Sequence, residues 1–256
     1  MTQADMMVLV PEKLKQIEQE YGIRILYAVE SGSRAWGTSS EHSDYDVRFI
    51  YIRPGKEYLR LDQTRDVLEF PIADGWDMGG WDLRKLLTLL HGTNSQIYEW
   101  FASPLVYVDD GLSERLRPLL KEYFAVKTAA KHYLHQADMK MKQALRVEQP
   151  KVKHYLYTMQ HLAAARWILQ RQEFPPISFE RLVPMLPEII RREADGILFM
   201  KTMQSDQPRI PHMRYLEELL ADEWERLREE IYRLPKVEEK DWDMLNRFFL
   251  TELARQ

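Results

Sequence analysis

Ala28–Phe49 reads AVESGSRAWGTSSEHSDYDVRF, and its reading decides the fold. Its left edge closes a short apolar run, Ile23 to Val29, too short for a good helix and flanked by breakers, so a buried strand. Its right edge opens a second strand, Asp44 to Ile52, rich in β-branched and aromatic residues and stopped at Pro54-Gly55. Between them, Gly32-Ser33 ends the first strand and opens a helix. Glycine lets a ligand come close to the backbone, and exposed N–H groups with the Ser33 hydroxyl suit a phosphate. Asp44 and Asp46 stand two apart in a strand, which puts both carboxylates on one face. So placed, they repel and raise each other's pKa. A hard divalent cation relieves this and keeps positions for water and phosphate. A phosphate turn beside a carboxylate-held metal is equipment for phosphoryl or nucleotidyl transfer. A lone Asp-x-Asp is more often a turn or a solvated edge; the Gly-Ser turn and the strand on each side give the pattern its weight.

Working outward, Pro11 to Glu20 reads as a first helix, with Pro11 at its first position and Gly22 past its end. Val67 to Ile72 reads as a third strand, and Asp77-Met78-Gly79-Gly80 as a strand end or turn. Asp82 to His91 is a helix capped by Asp82, and Asn94 to Phe101 another. Leu105 to Val108 is a last short strand. From Leu112 onward the segments are helical: 112–124, 126–147, 150–172, 178–193, 211–232 and 238–254. Eight of the ten glycines lie between Gly22 and Gly92, which separates a strand-and-turn part from a helical part. The expected fold is α+β: residues 1–110 form an α/β domain around a small mixed sheet, and residues 111–256 form an all-helical domain packing on it.

Composition bounds the function. The 256 residues are 45% hydrophobic and 30% charged, as in a chain with a proper core and a soluble surface. Lys plus Arg is 36 against 40 for Asp plus Glu, a net charge of −4, which argues against a protein held on nucleic acid by bulk charge. With no cysteine there is no disulfide scaffold, thiolate zinc site or cysteine nucleophile. No apolar run reaches 18 residues, so no membrane span is expected. Met1 to Val10 carries Asp5 and no Lys or Arg, which does not read as a signal peptide. A cytoplasmic location is the expectation.

Other residues carry weaker signals. Arg34 and Arg48 flank the site, and Arg48 shares a strand face with Asp44 and Asp46. Contact with phosphate and an ordinary salt bridge are equally good readings of it. Ser43 caps the turn before Asp44, and His42 reads as a solvated loop residue. Lys153, Tyr157 and His161 recur at four on one helix face. Arg166 reads as an ion-pair partner. His132, His135, His154 and His161 lack the acid that a zinc-binding HExxH helix would carry. Trp36 either walls a pocket or packs in a core.

The quoted run resembles the signature of the DNA polymerase β-like nucleotidyltransferase superfamily. More closely, GSRAWG…SDYDVRF, then GWDLRK (Gly80 to Lys85), then KHYLYTMQHLAAARWI (Lys153 to Ile168) with Pro175-Pro176 after it, is similar to the YcgL-like, RNA-repair-associated polymerase-β-like family (RlaP). The resemblance implies a short mixed sheet with the active site at the strand ends. It implies a Mg²⁺-dependent enzyme, with Mn²⁺ the alternative ion, that moves a nucleoside monophosphate from an NTP, ATP first, to an acceptor and releases pyrophosphate. The acceptor is open, an RNA end among the candidates. By the same resemblance Gly32 and Ser33 match the triphosphate turn, and Asp44 and Asp46 the metal pair. A third acid on a neighbouring strand is Asp77 or Glu69, Asp77 preferred. A basic helix supplies cations to the triphosphate: Lys153 first, then Lys151, with Lys142 weaker. The competing expectation is a non-catalytic nucleotide-binding regulator of antitoxin type.

Overall fold

The computed structural model describes residues 3–62, 64–73, 75–203 and 208–255. The chain divides into two compact units: Met1–Gly32, Asp44–Tyr123 and Glu239–Gln256 in one; Ser33–Ser43 and Phe124–Glu238 in the other. The division falls after Tyr123, where the sequence pointed to Asp109-Asp110-Gly111, and the C-terminal segment returns to the first unit. Arg115 explains both: its guanidinium donates to Glu252 at 2.8 Å through both Nε and Nη2, tying the helix after residue 111 to the last helix.

The first unit is built on a five-stranded mixed sheet in the order β3-β4-β2-β1-β5. Its strands are β1 (Arg24–Glu30), β2 (Tyr45–Ile52), β3 (Val67–Glu69), β4 (Trp76–Asp82) and β5 (Val106–Asp109). β1 is antiparallel to β2 and β5, β4 is parallel to β2, and β3 is antiparallel to β4. α1 (Gln3–Tyr21) covers one face, with Met6, Val10, Leu14 and Ile17 buried against Val47, Phe49 and Tyr51 of β2 and Met78 of β4. The stripe begins four residues before Val10, so the helix starts upstream of Pro11 and carries that proline inside it. Because Tyr45, Val47, Phe49 and Tyr51 face α1, the alternation of a strand turns Asp46 and Arg48 to the other face. The short helices α3 (Leu83–His91), α4 (Ser95–Phe101) and α5 (Leu112–Glu122) and the last helix α11 (Asp243–Ala254) complete this unit.

β4 is the main departure from the sequence reading, which took Asp77-Met78-Gly79-Gly80 for a strand end or turn. The glycines are there for packing. A Cβ at Gly80 would lie 2.1 Å from the Phe49 ring, so the ring of the neighbouring strand needs that space. The third strand is also shorter than expected, ending at Glu69.

The second unit is helical: α6 (Val126–Leu145), α7 (Val152–Arg171), α8 (Phe179–Leu182), α9 (Glu188–Met203) and α10 (Arg214–Arg233), together with most of α2 (Gly32–Trp36). α6 and α7 form its central pair. Ala129, Ala130, Ala137 and Ala144 on one and Ala163, Ala164 and Ala165 on the other are buried in the same core, and small side chains let helix axes approach. The segment read as one helix over 178–193 breaks into α8, a 3-10 turn at Val183–Met185 and the start of α9. Pro184 and Pro187 lack the N–H a continuous helix would need. Arg166 of α7 pairs with the buried Glu223 of α10 at 2.6 Å.

Candidate active site

The parallel pairing of β2 and β4 sets Asp46 opposite Asp77. Paired positions share a face, so the two carboxylates stand side by side on the face away from α1. Each side chain remains partly open to solvent, 25% for Asp46 and 30% for Asp77. Burial pushes the Asp46 carboxyl up to about 7; Arg48 opposes this, while Asp77, Glu30 and a hydrogen bond with the Asp77 carboxyl add to it. The sequence pointed to Asp44 as the repelling neighbour. Asp44 instead lies exposed, one residue before β2 begins, and the leading acidic neighbours of Asp46 are Asp77 and Glu30.

Arg48, two residues along the same strand face, lies between the two acids. Its Nη2 is 2.9 Å from Asp77 Oδ2 and 3.7 Å from Asp46 Oδ1, and its Nη1 donates to the Asp77 carbonyl at 2.7 Å. Of the two readings of Arg48, the structure shows the salt bridge. Glu69, the other candidate for third acid, is exposed on β3 opposite Gly79, one strand further out than Asp77. Asp82 caps α3 by accepting the Arg84 N–H at 2.8 Å, its plain structural role.

Glu30 is the residue the sequence reading passed over. It is fully buried at the end of β1. Its Oε1 accepts the Asp46 N–H at 2.8 Å and its Oε2 accepts the Tyr107 hydroxyl at 2.6 Å. An acid closing the apolar run Ile25–Val29, directly before Ser31-Gly32, was the available signal.

The turn is built from the same strands. The Ser31 N–H donates to the Asp46 carbonyl at 2.8 Å. Gly32 follows in the left-handed region, φ +59°, and a Cβ there would lie 2.1 Å from Asp46 Oδ2. Glycine at 32 therefore makes room first for the Asp46 carboxylate. Ser33 opens α2 and is buried. Beyond it, the loop to Ser43 is braced internally. Arg34 Nη2 donates to the Ser43 carbonyl at 2.6 Å, Ser43 Oγ accepts the Ser40 N–H at 2.9 Å, and Lys201 of α9 donates to the Thr38 carbonyl at 2.6 Å. Arg34 and Ser43 hold the loop's shape, and His42 is exposed in it.

On α7, Tyr157 and His161 both meet Trp36 edge-on, at ring distances of 5.1 and 6.1 Å. Lys153 is partly buried on the same helix. Lys142 pairs with Asp138 one turn away at 2.7 Å, which spends its charge locally.

Asp46 and Asp77 fit an open site for a hard divalent cation, with Asp44 exposed at the strand mouth. Among the described residues no three Asp, Glu or His side chains close into a cage. An ion held by two carboxylates would complete its shell with water and phosphate oxygens, as Mg²⁺ commonly does.

The model of the RNA repair pathway DNA polymerase beta family, RlaP, matches residues 6–251. The chain belongs to this family. The RlaP match takes in both compact units, including Gly32-Ser33, Asp44, Asp46 and Asp77 in one span. The chain is 38% identical over 244 residues to "Uncharacterized protein YcgL" of Bacillus subtilis (strain 168), covering 93% of each protein. Among solved structures, a nucleotidyltransferase-like protein from Exiguobacterium sibiricum 255-15 aligns over 85% of this chain and 73% of its own, at 12% identity and a TM-score of 0.32. At that level of superposition it adds nothing to the fold described above. No helix among the described residues is long and apolar enough to cross a membrane.

Proposed function

We propose that this RlaP-family protein is a Mg²⁺-dependent nucleotidyltransferase, moving a nucleoside monophosphate from an NTP, ATP first, to an acceptor hydroxyl. An RNA end is the first acceptor to test, in keeping with the family's description. The observation that carries the reading is the Asp46–Asp77 pair, set in register across parallel strands and leaning on one arginine. In the reaction the acceptor oxygen forms a bond to the α-phosphorus. The bond from that phosphorus to the bridging oxygen breaks, and pyrophosphate leaves with the electron pair. When bound, Mg²⁺ supplies charge neutralisation on the phosphates.

The chain's own residues do the rest. Asp46 and Asp77, with Asp44, are the metal-holding and catalytic carboxylates, and Asp77 is the one to receive the acceptor's proton. Arg48 keeps Asp77 oriented. Gly32 and Ser33 supply the phosphate turn, Arg34 and Ser43 set its loop, and Lys153 and Tyr157 are the nucleotide-binding residues of α7. The test incubates each α-labelled NTP with Mg²⁺ and fractionated cell extract, reading label gained by a fraction and pyrophosphate released. Wild type should label one acceptor class, and Asp46→Asn and Asp77→Asn should label none, Asp46→Asn while melting at or above the wild-type temperature. Full turnover in both variants overturns the assignment.

A further inference from the structure

At the end of β1, all four polar atoms of the buried Glu30 are engaged. Its N–H donates to the Leu105 carbonyl at 2.9 Å, and its carbonyl accepts the Ser103 hydroxyl at 2.6 Å. Its two carboxylate oxygens divide between the Asp46 N–H and the Tyr107 hydroxyl. An apolar side chain would suit the end of a buried strand better, because a buried carboxylate is retained at a cost even when both oxygens are bonded.

The sheet register shows what that carboxylate does. β1 and β2 pair antiparallel as far as Glu30 opposite Val47. One step further Ser31 faces Asp46, and an antiparallel ladder exchanges two main-chain bonds at such a pair. One of them forms, from the Ser31 N–H to the Asp46 carbonyl at 2.8 Å. Gly32 then turns the chain away with φ +59°, and Glu30 Oε1 takes the place of the second acceptor. The main chain of Asp46 is thereby held on both sides, its N–H by residue 30 and its carbonyl by residue 31. Both holds lie directly before the glycine that makes room for the Asp46 carboxylate. The clamp is itself fixed from β5. Tyr107 is buried there; that burial, and then its bond to Glu30, push its pKa above the ordinary tyrosine range, so its hydroxyl stays a donor.

We propose that Glu30, braced by Tyr107, is a positioning residue: it clamps the main chain of Asp46 so that the Asp46 carboxylate stands beside that of Asp77. The metal role of Asp46 rests on the proposed function, and the clamp is tested apart from it. The full chain is titrated with Mn²⁺, bound metal being read by electron paramagnetic resonance, and exchange of the Asp46 amide proton is followed by nuclear magnetic resonance. Wild type, Glu30→Leu, Glu30→Gln and Tyr107→Phe are compared, with α-labelled NTP transfer measured in parallel. Glu30→Leu keeps an apolar side chain in place and leaves the Asp46 N–H without its acceptor. Its Asp46 amide should exchange faster, and Mn²⁺ should bind about 10- to 100-fold more weakly, the usual loss when a residue orienting a metal ligand is removed. Glu30→Gln, whose amide oxygen can still accept the Asp46 N–H, should recover most of that affinity. A merely structural Glu30 would lower the melting temperature and leave Mn²⁺ affinity, measured well below melting, unchanged. Tyr107→Phe should move both readouts the same way by a smaller factor, and it carries the test if Glu30→Leu does not fold; unchanged readouts in Tyr107→Phe overturn the brace. Glu30-dependent Mn²⁺ binding and amide protection, without label transfer to any fraction, support the clamp while counting against the transferase reading. Wild-type Mn²⁺ affinity in Glu30→Leu, or equal loss in Glu30→Leu and Glu30→Gln, overturns the proposal. Where wild type binds no Mn²⁺, the metal role of Asp46 falls, and the clamp stands or falls with the Asp46 amide alone.

Discussion

Gly32→Ala separates two effects that the structure places on one atom. At φ +59° an L-residue is strained by about 1–2 kcal/mol. Gly22 has the same φ of +59° but nothing within 4 Å of a Cβ, so Gly22→Ala carries that strain alone. At 1–2 kcal/mol it should lower the melting temperature by roughly 2–8 °C. At position 32 the new Cβ would also meet Asp46 Oδ2 at 2.1 Å, where ordinary contact begins at 3.4 Å, so the carboxylate must retreat by the difference of 1.3 Å. A displacement of about 1 Å at a reacting group costs on the order of 100-fold in rate. Gly32→Ala should therefore lose about two orders of magnitude in label transfer, and melt lower than Gly22→Ala. Gly22→Ala should turn over like wild type. The assay is α-labelled NTP transfer to the identified acceptor fraction, with melting followed by scanning fluorimetry. If the two variants melt alike and Gly32→Ala keeps its rate, the Asp46 carboxylate does not sit where its function is argued to need it.

Ser33→Ala removes one hydroxyl among several backbone donors and should weaken NTP binding by about 1 kcal/mol, read by titration calorimetry. Lys153→Ala should raise the apparent NTP constant by about one to two orders of magnitude, roughly 1.5–3 kcal/mol for a charge-assisted contact, with little change in melting temperature; unchanged affinity would assign Lys153 elsewhere. Stability should also fall on acidification. His154 and His161 are held neutral in the fold down to about 4 and about 3, while in the unfolded chain they protonate near 6.5. Their contribution is complete above that pH and is lost as pH drops from 6.5 toward those values, by at most about 1.4 kcal/mol per pH unit for each. Asp46, raised to about 7, acts in the opposite sense between 3.8 and 7. Urea unfolding of His161→Gln and wild type at pH 7, 6 and 5 isolates the histidine: the variant should show the shallower loss, and parallel curves would contradict it.

The parts of the fold that were legible are those whose signal is local. The strand–turn–helix–strand around Gly32 follows from breakers and β-branched runs, and the Asp82 cap and the Arg166 ion pair from position on a helix. What escaped depended on partners distant in sequence. Met78-Gly79-Gly80 reads as a turn unless the Phe49 ring across the strand is known to fill the space of a Gly80 side chain. Val67–Glu69 pairs only three residues long because it is an edge strand, and its hydrophobic run continues past the pairing. The same rule holds at the site. Asp77 could be preferred over Glu69, but the parallel register that sets it opposite Asp46 is a tertiary fact. Glu30 gave no motif because its work is done through a main-chain N–H and a tyrosine more than seventy residues away.

The energetics of the Asp46 surroundings indicate what the fold itself would not select. Three carboxylates, from Glu30, Asp46 and Asp77, gather at the ends of three neighbouring strands; burial raises the Asp46 pKa, Arg48 opposes it, and Asp77 and Glu30 add to it. A sheet built for stability would place apolar residues or a neutral pair at these positions, since buried charge is retained at a cost and apolar replacements of similar shape are often more stable. A local rule of folding is broken at this cluster and kept around it, which is the pattern expected where function and not packing selects the residues.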